Sequence, residues 1–275
     1  MANSARIGGN IIMKETIEHI SLSPKKRLRE TPLFFQHGLF HGASCWKRFL
    51  DYFCEMGYET HAISLPGHGS SSAIKGRINN YSFKDYMDCM NEEIAKVSPL
   101  PILIGHSLGG LMSMKYLESH KLPGAVLMAS TPHRDVHHLI FRLLRRHPRM
   151  CLGTLFGWNL KIPDPVIARD LFLSPSADVN IEEFFRSLCA DSMKMGNEVL
   201  FKIRPMLEKI SAPILVLAGE RDACFTVEEE RRLAEVLRAK FIILPDQAHD
   251  MMLEPGWQSV AETIHKWIIE DLKLP

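Results

Sequence analysis

Short apolar runs recur along the chain, and each run ends in turn-forming residues such as glycine, proline or aspartate. Both sets of alternate positions in these runs are apolar, which is typical of strands that are buried on both faces of a parallel sheet. The sequence therefore predicts strands at residues 33–38, 60–67, 101–107, 124–130, 213–220 and 240–246.

Apolar residues between most of these runs repeat at three- and four-residue steps, which is the spacing of one helix face. Helices are predicted at residues 45–57, 82–97, 107–120, 227–239 and 258–272. Because strand and helix alternate, the pattern favours an α/β fold with a mostly parallel central sheet and helices on both faces.

The alternation of strand and helix stops between residues 132 and 210. This segment is helical in pattern, is interrupted by prolines such as Pro163 and Pro165, and has no convincing strand run. In open parallel sheets, ligands bind at the carboxyl edge of the strands, and an insertion there would cover the site. We therefore expect a core of residues 1–131 and 211–275 and a helical cap of residues 132–210.

The central strand run ends in a serine between two glycines. The stretch Gly-His-Ser-Leu-Gly at residues 105–109 matches G-x-S-x-G, and a helical pattern follows it directly. In this motif the chain turns from strand to helix so sharply that the corner residue is strained and larger flanking side chains would collide. The turn would expose the Ser107 hydroxyl and would put the backbone N–H of Leu108 at a helix N-terminus, where it can face an oxyanion.

A serine hydroxyl needs a base before it becomes a good nucleophile. His249 follows the last predicted strand, so it would reach the same sheet edge as Ser107. With this motif the acid lies between the serine and the histidine along the chain, and Asp222, just after a strand run, meets that requirement. Its carboxylate would orient the imidazole and stabilise the imidazolium. Asp135 and Asp246 are the competing acids.

The loop after the first predicted strand, HGLFHG at residues 37–42, has glycines that let backbone amides approach a substrate oxygen. We predict the N–H of Leu39 as the second oxyanion donor, beside that of Leu108. Such a site performs acyl transfer in two steps through an acyl-enzyme at Ser107, and it needs no metal or organic cofactor.

Five segments, in this order and at these spacings, resemble the α/β-hydrolase superfamily. They are HGLFHGASCW (37–46), SLPGHGSS (64–71), GHSLGG (105–110), LAGERD (217–222) and QAHDMM (247–252). The resemblance covers most of the chain. It implies the α/β-hydrolase fold, a Ser107–Asp222–His249 triad and an oxyanion hole formed by the amides of Leu39 and Leu108.

The doubled HG-x-x-HG-x-x-CW pattern looks like the branch that holds plant methyl esterases and hydroxynitrile lyases, alongside many bacterial esterases. Two departures weaken the lyase interpretation, because such lyases carry threonine where Gly38 stands and lysine where Asp250 follows the histidine. Ser107 also departs from the aspartate nucleophile of the dehalogenases and epoxide hydrolases. A further departure is Ser64, where the family often has an aspartate that braces a loop.

Composition narrows the classes of partner. The chain has 275 residues, of which 46% are hydrophobic and 24% are charged, and its net charge is +1. This balance is typical of a globular protein and gives no reason to expect nucleic acid as a partner. No run approaches the roughly 18 apolar residues of a membrane span, and we recognise no signal peptide. The six cysteines lack CxxC spacing, so we expect reduced thiols, no metal site and a cytoplasmic location.

The substrate pocket is the least determined part of the site. We select His41, Trp158, Phe184 and Phe185 as candidate lining residues, with Phe172 and Met193 as further apolar candidates in the cap. A basic cluster in the cap could receive an anionic group or form a solvated helix face, and we favour the solvated face. Its members are Arg142, Arg145, Arg146 and Arg149.

These residues support two hypotheses of different classes. The first is a carboxylic ester hydrolase for a small to medium hydrophobic ester, with thioesterase, lipase or lysophospholipase, and lactonase activities as alternatives that use the same residues. The second is a ligand-binding, receptor-like relative with little turnover. The complete set of triad and oxyanion elements favours the enzyme. The substrate is then a small acyl ester or thioester, and the oligomeric state, monomer or homodimer, stays open.

Overall fold

The computed structural model describes residues 4–7, 10–13, 16–148 and 160–274. Its strands are β1 (Ser4–Ile7), β2 (Asn10–Met13), β3 (His19–Leu22), β4 (Leu33–Gln36), β5 (Thr60–Ile63), β6 (Ile102–His106), β7 (Ala125–Met128), β8 (Ile214–Gly219) and β9 (Lys240–Leu244). The last seven form one sheet in the order β3-β5-β4-β6-β7-β8-β9, and β1 pairs with β2 separately. All six predicted strands are therefore confirmed.

Strand β3 and the β1–β2 pair are the elements that the sequence pattern did not predict. β3 is antiparallel to β5 at one edge of the sheet, whereas the other neighbouring strands run parallel. Its four residues are half-buried or exposed. An edge strand has one neighbour and more contact with water, so it lacks the continuous apolar run that identified the central strands.

Helices follow most of the parallel strands. They are α1 (Lys47–Glu55), α2 (Phe83–Ile94), α3 (Leu108–Leu117), α4 (His137–Arg146), α5 (Pro165–Phe172), α6 (Ile181–Ser187), α7 (Met193–Phe201), α8 (Val227–Leu237) and α9 (Trp257–Glu270). α2 and α8 begin with capping boxes formed by Ser82 with Asp85 and by Thr226 with Glu229. Each box satisfies backbone N–H groups that the first turn leaves free, which fixes where the helix starts.

The sheet separates two apolar cores because alternate strand residues point to opposite faces. In β6, for example, Leu103 packs with α2, α3 and α8, while Ile102 and Ile104 pack with α1 and α9. Helices on both faces leave the carboxyl ends of the parallel strands as the edge where loops can converge. None of the helices in the described ranges is long and apolar enough to cross a membrane.

Residues 132–210, called the insertion below, connect β7 to β8. Helices α4 to α7 lie in it, and its described parts, residues 132–148 and 160–210, include no strand beyond a single bridge between Leu160 and Asp191. Apolar residues of the insertion form a separate cluster, and Cys224 and Phe225 from the loop after β8 also belong to it. It therefore packs directly against a loop at the carboxyl edge of the sheet.

Candidate active site

Ser107 occupies a strained corner between β6 and α3. Its φ of 52° and ψ of −115° lie outside the regions that non-glycine residues normally adopt. A Cβ atom on Gly105 would lie 2.4 Å from the Gly109 carbonyl oxygen, and one on Gly109 would lie 2.3 Å from the Gln36 carbonyl oxygen. Only glycine fits at both positions, so the crowding predicted for the motif is present.

His249 and Asp222 meet at the edge where β8 and β9 end. His249 Nδ1 lies 2.9 Å from Asp222 Oδ2 and 3.1 Å from Oδ1, and both side chains are almost fully buried. Asp222 Oδ1 also accepts backbone N–H groups from Cys224 and Phe225, which fixes the carboxylate. Burial opposes a charge on the imidazole, but the Asp222 carboxylate outweighs it and raises the pKa of His249 above its usual value.

The Ser107 hydroxyl is available for chemistry. Neither it nor Nε2 of His249 has a hydrogen-bond partner among the described residues, and no hydrogen bond joins the two side chains there. Ser107 is nonetheless held close to the loop that carries His249, because the preceding residue is bonded to that loop. His106 donates from Nε2 to the His249 carbonyl at 3.0 Å. The His106 ring centroid lies 4.7 Å from that of His249.

The two competing acids lie elsewhere. Asp246 is exposed and pairs with Arg221. Asp135 is exposed in the turn before α4. The carboxylate that contacts the His249 ring nitrogen is that of Asp222.

The loop of residues 37–42 packs against Ser107. A Cβ atom on Gly38 would lie 2.7 Å from Ser107 Cβ, so this glycine permits the close approach. His37 accepts the Leu65 N–H at Nε2, which leaves Nδ1 as the donor to the Gly38 carbonyl at 2.7 Å. The N–H groups of Leu39 and Leu108 have no recorded partner within the described ranges. No protein acceptor in those ranges therefore occupies the two N–H groups predicted as oxyanion donors.

A buried ion pair links this loop to the residue after the histidine. His41 Nε2 donates to Asp250 Oδ2 at 2.8 Å, and His41 Nδ1 donates to the Leu39 carbonyl at 2.7 Å. Burial opposes protonation of His41, but attraction to Asp250 raises its pKa. His41, predicted as a pocket residue, thus has both ring nitrogens engaged. Only its ring carbons can face a substrate.

A second buried ion pair comes from the insertion. Asp191 Oδ2 accepts the Phe40 N–H at 2.7 Å and lies 3.1 Å from His68 Nε2, at an angle outside hydrogen-bond geometry. The Tyr86 hydroxyl donates to Asp191 Oδ1 at 3.3 Å. Burial alone would raise the pKa of Asp191, but the charge of His68 outweighs it and lowers that pKa. Sequence reasoning missed the ion pairs of Asp191 and Asp250, because no local pattern relates residues that lie so far apart in the chain.

Two further histidines near the nucleophile are uncharged. Burial, with repulsion from His249, lowers the pKa of His106 to about 3. Burial, with repulsion from His68, lowers the pKa of His37 to about 3. Those with a raised pKa at this edge, His41, His68 and His249, are the ones that face a carboxylate.

Aromatic rings surround the catalytic histidine candidate. The ring centroids of Phe172 and Phe225 lie 5.9 and 5.6 Å from that of His249. Phe184, a predicted pocket residue, is buried, and its ring centroid lies 6.2 Å from those of His41 and Phe172. Phe185 is only partly buried against the same cluster. Trp158 lies outside the described residues, and Phe225 was not predicted because it belongs to the acid loop.

Two of the four arginines in the basic cluster of the insertion bind other groups of the protein. Arg142 donates to the Cys224 carbonyl at 3.1 Å and to Glu229 at 2.9 Å, which ties α4 to the loop that carries Asp222. Arg146 pairs with Asp170. Arg145 is exposed, and Arg149 lies outside the described residues. The solvated-face interpretation therefore holds for Arg145 but not for Arg142.

Ser64, the departure from the family pattern, has a carboxylate partner from another segment. Its hydroxyl donates to Glu18 Oε2 and accepts the Ala43 N–H at 2.8 Å. The Ser70 N–H also donates to Glu18 Oε2, at 3.1 Å. Glu18 thus supplies the negative charge that braces this turn.

Two groups of side chains have donor atoms close enough to share a cation. They are His106 with His249 and Asp250, and Asp222 with Cys224 and His249, in each case within 4.8 Å of one another. A cation at either place would take up a ring nitrogen of His249. The cysteines in the described ranges form no disulfide with one another, and Cys151 lies outside those ranges.

Comparison with known proteins adds the following findings. The sequence model of the alpha/beta hydrolase family matches residues 33–262. Protein ABHD8 of Homo sapiens is 27% identical over 250 residues, which cover 86% of this chain and 55% of that protein. The chain thus spans about half the length of the curated relatives that it matches over most of its own length.

Two further similarities are to proteins whose names describe lipid hydrolases. Phospholipase YtpA of Bacillus subtilis is 33% identical over 92 residues, 31% of this chain and 35% of that protein. The crystal structure of the Paleococcus ferrophilus monoacylglycerol lipase superposes with a TM-score of 0.69 at 23% identity, covering 92% of this chain and 98% of that one. At that identity, the structural likeness concerns the fold.

Proposed function

Because this chain belongs to the alpha/beta hydrolase family, we propose that it is a serine hydrolase that cleaves a carboxylic ester of a small to medium hydrophobic substrate. The observation that carries the proposal is the buried Asp222–His249 pair beside a serine in a strained corner. Strain of this kind persists where the surrounding structure imposes it, and it is common at active sites.

The proposed reaction has two steps. Ser107 Oγ attacks the ester carbonyl carbon while His249 Nε2 takes the hydroxyl proton, and Asp222 stabilises the imidazolium. The N–H groups of Leu39 and Leu108 bind the oxyanion. His249 then protonates the departing alcohol, and water repeats the sequence on the acyl-enzyme. The Ser107–His249 hydrogen bond would form as substrate closes the site, since such bonds are often long before then.

An apolar substrate fits the surroundings of the triad. Phe172 and Phe225 lie against the His249 ring, and Phe184 extends the same apolar cluster. A charged acyl or alcohol group would lose its hydration against these rings. Of the described arginines in α4, Arg142 and Arg146 already bind protein groups. We therefore assign the insertion as a cap that selects hydrophobic esters.

A fluorophosphonate probe tests the proposed nucleophile. We expect the folded chain to take up one label at Ser107, and the variant Ser107→Ala to take up none. Failure of the folded wild type to label would refute the hydrolase proposal and favour a receptor-like relative. Labelling that persists in Ser107→Ala would assign the nucleophile to another serine.

The acid is tested by a matched pair of variants and a substrate panel. Asp222→Asn is expected to lower kcat on the best p-nitrophenyl ester by about 10⁴-fold, because the amide favours the wrong tautomer of His249. Asp135→Asn should leave kcat unchanged, and the opposite result would exchange the two assignments. A panel of p-nitrophenyl esters and acyl-CoA thioesters of graded length then defines the acyl chain and separates esterase from thioesterase activity.

A further inference from the structure

The peptide unit between Leu39 and Phe40 is held at both ends. Its carbonyl accepts a hydrogen bond from His41 Nδ1 at 2.7 Å, and its N–H donates to Asp191 Oδ2 at 2.7 Å. Because a peptide unit is planar, two bonds on opposite sides of it fix the orientation of the whole plane. The Leu39 N–H, the free oxyanion donor, belongs to the preceding plane and is directly joined to this one.

Both groups that hold this peptide are charged, and each is backed by a buried partner. His41 pairs with Asp250, and Asp191 pairs with His68. The four side chains are between 0 and 4% exposed, so water neither screens the pairs nor competes for their hydrogen bonds. Hydrogen bonds from charged groups are stronger than neutral ones, and two of opposite sign pull this one peptide in a defined direction.

The backbone here needs such support. Phe40 has a φ of 67°, in the left-handed region that a bulky residue rarely adopts. The insertion contributes a further restraint, because the Cys189 N–H donates to the Phe40 carbonyl at 2.7 Å. Without these contacts the loop would relax towards an ordinary conformation, and the neighbouring N–H groups would turn with it.

We infer that the two ion pairs His41–Asp250 and His68–Asp191, here named the peptide clamp, position the Leu39 N–H for the oxyanion of the proposed reaction. His37 fixes the preceding plane through the Gly38 carbonyl, and the clamp fixes the following one. The inference rests on the proposed hydrolase function. It makes Asp191 a positioning residue that belongs to the insertion, and His41 one that belongs to the loop itself.

Two matched pairs of variants test the clamp. Asp191→Asn keeps an oxygen that can accept the Phe40 N–H, whereas Asp191→Ala removes the acceptor. His41→Asn keeps an N–H donor near the position of Nδ1, so it can still bind the Leu39 carbonyl. His41→Gln keeps a donor near the position of Nε2, so it can bind Asp250 but not that carbonyl. Near-ultraviolet circular dichroism and thermal melts establish the folded fraction of each variant.

The readouts separate oxyanion binding from folding. Kinetic constants are measured on the best p-nitrophenyl ester, and affinity is measured for a trifluoromethyl ketone of the same acyl length, whose hemiketal with Ser107 carries an oxyanion. For Asp191→Ala and His41→Gln we expect kcat to fall about 100-fold, the size of losing one oxyanion donor. KM should stay within about threefold, and ketone affinity should fall by the same factor as kcat. Asp191→Asn and His41→Asn should each keep at least about tenfold more activity than their partners.

Two results would overturn the clamp while leaving the proposed function intact. In the first, the wild type is active, the variants Asp191→Ala and His41→Gln are folded, and their kcat stays within about threefold of the wild-type value. The second is a fall in activity that leaves ketone affinity unchanged and tracks only the folded fraction. A wild type that neither hydrolyses the esters nor labels at Ser107 refutes the proposed function instead, and the positioning function with it. If Asp191→Ala does not fold, the matched pair His41→Gln and His41→Asn carries the same comparison.

Discussion

A single methyl group at Gly38 would test the geometry of the proposed oxyanion hole. In Gly38→Ala the new Cβ would lie 2.7 Å from Ser107 Cβ, about 0.7 Å short of the 3.4 Å at which ordinary contact begins. It would also lie 3.1 Å from the His106 carbonyl oxygen and from His106 Nδ1. A small shift of the backbone away from Ser107 would therefore press the new methyl group against His106. Ser107 is fixed by its strained corner, and the loop must therefore move. A displacement approaching 1 Å, which takes the Leu39 N–H with it, should lower kcat about 100-fold.

The assay is ester hydrolysis, with kcat and KM resolved, together with a thermal melt. Gly196→Ala is the matched control, because its Cβ would also meet an atom at 2.7 Å, but that atom is the movable end of Leu160 in the insertion. Since alanine is favoured over glycine within a helix such as α7, the control should keep its activity and gain slightly in stability. A Gly38→Ala enzyme with kcat within about threefold of the wild type would show that the loop does not press on the nucleophile.

Three further predictions concern other parts of the molecule. The proposed base His249 must be neutral to accept a proton, and the Asp222 carboxylate raises its pKa against the effect of burial. We therefore expect kcat/KM to fall with decreasing pH through a midpoint above 6.5. A pH–rate profile with its midpoint below 6.5 contradicts this. Burial raises the pKa of Glu230 well above its usual value, and the Ser130 N–H approaches the carboxylate without hydrogen-bond geometry. The folded pKa exceeds the unfolded one, so this residue lowers stability as pH rises above about 4.5, and Glu230→Gln should unfold at a higher temperature than the wild type at pH 8 but not at pH 4. Phe172→Ala should lower the free energy of unfolding by about 3–5 kcal/mol in urea titrations, whereas Val166→Ala, on the exposed side of the same helix, should change it by less than about 0.5 kcal/mol.

The central strands were predictable because burial on both faces leaves an unmistakable apolar run. β6 and β8 are buried along their whole length, and their sequences ILIGH and ILVLAG reflect it. β3, with the sequence HISL, is short, half-exposed and paired on one side, so its pattern does not differ from that of a loop. Local patterns record the environment of a residue, and an edge strand has a mixed environment.

The candidate triad was predictable for a similar reason: each member follows a recognisable strand, and parallel strands bring their carboxyl ends together. The buried ion pairs were not predictable, since His41 and Asp250 are 209 residues apart and His68 and Asp191 belong to different parts of the fold. Histidine and aspartate are both common in loops, so neither residue type indicates its distant partner. The function of Arg142 was misjudged on the same ground, because a charged helix face resembles a solvated one until its neighbours are known.

The contact between Glu18 and Ser64 bears on how the protein can be shortened for expression. The family match begins at residue 33, yet Glu18 binds the Ser64 hydroxyl and the Ser70 N–H, and Ser64 in turn holds the Ala43 N–H. A truncated chain that starts at the matched boundary would lose this carboxylate together with strand β3. The folded unit therefore extends beyond the matched region, and we expect a chain that begins before Glu18 to keep this contact.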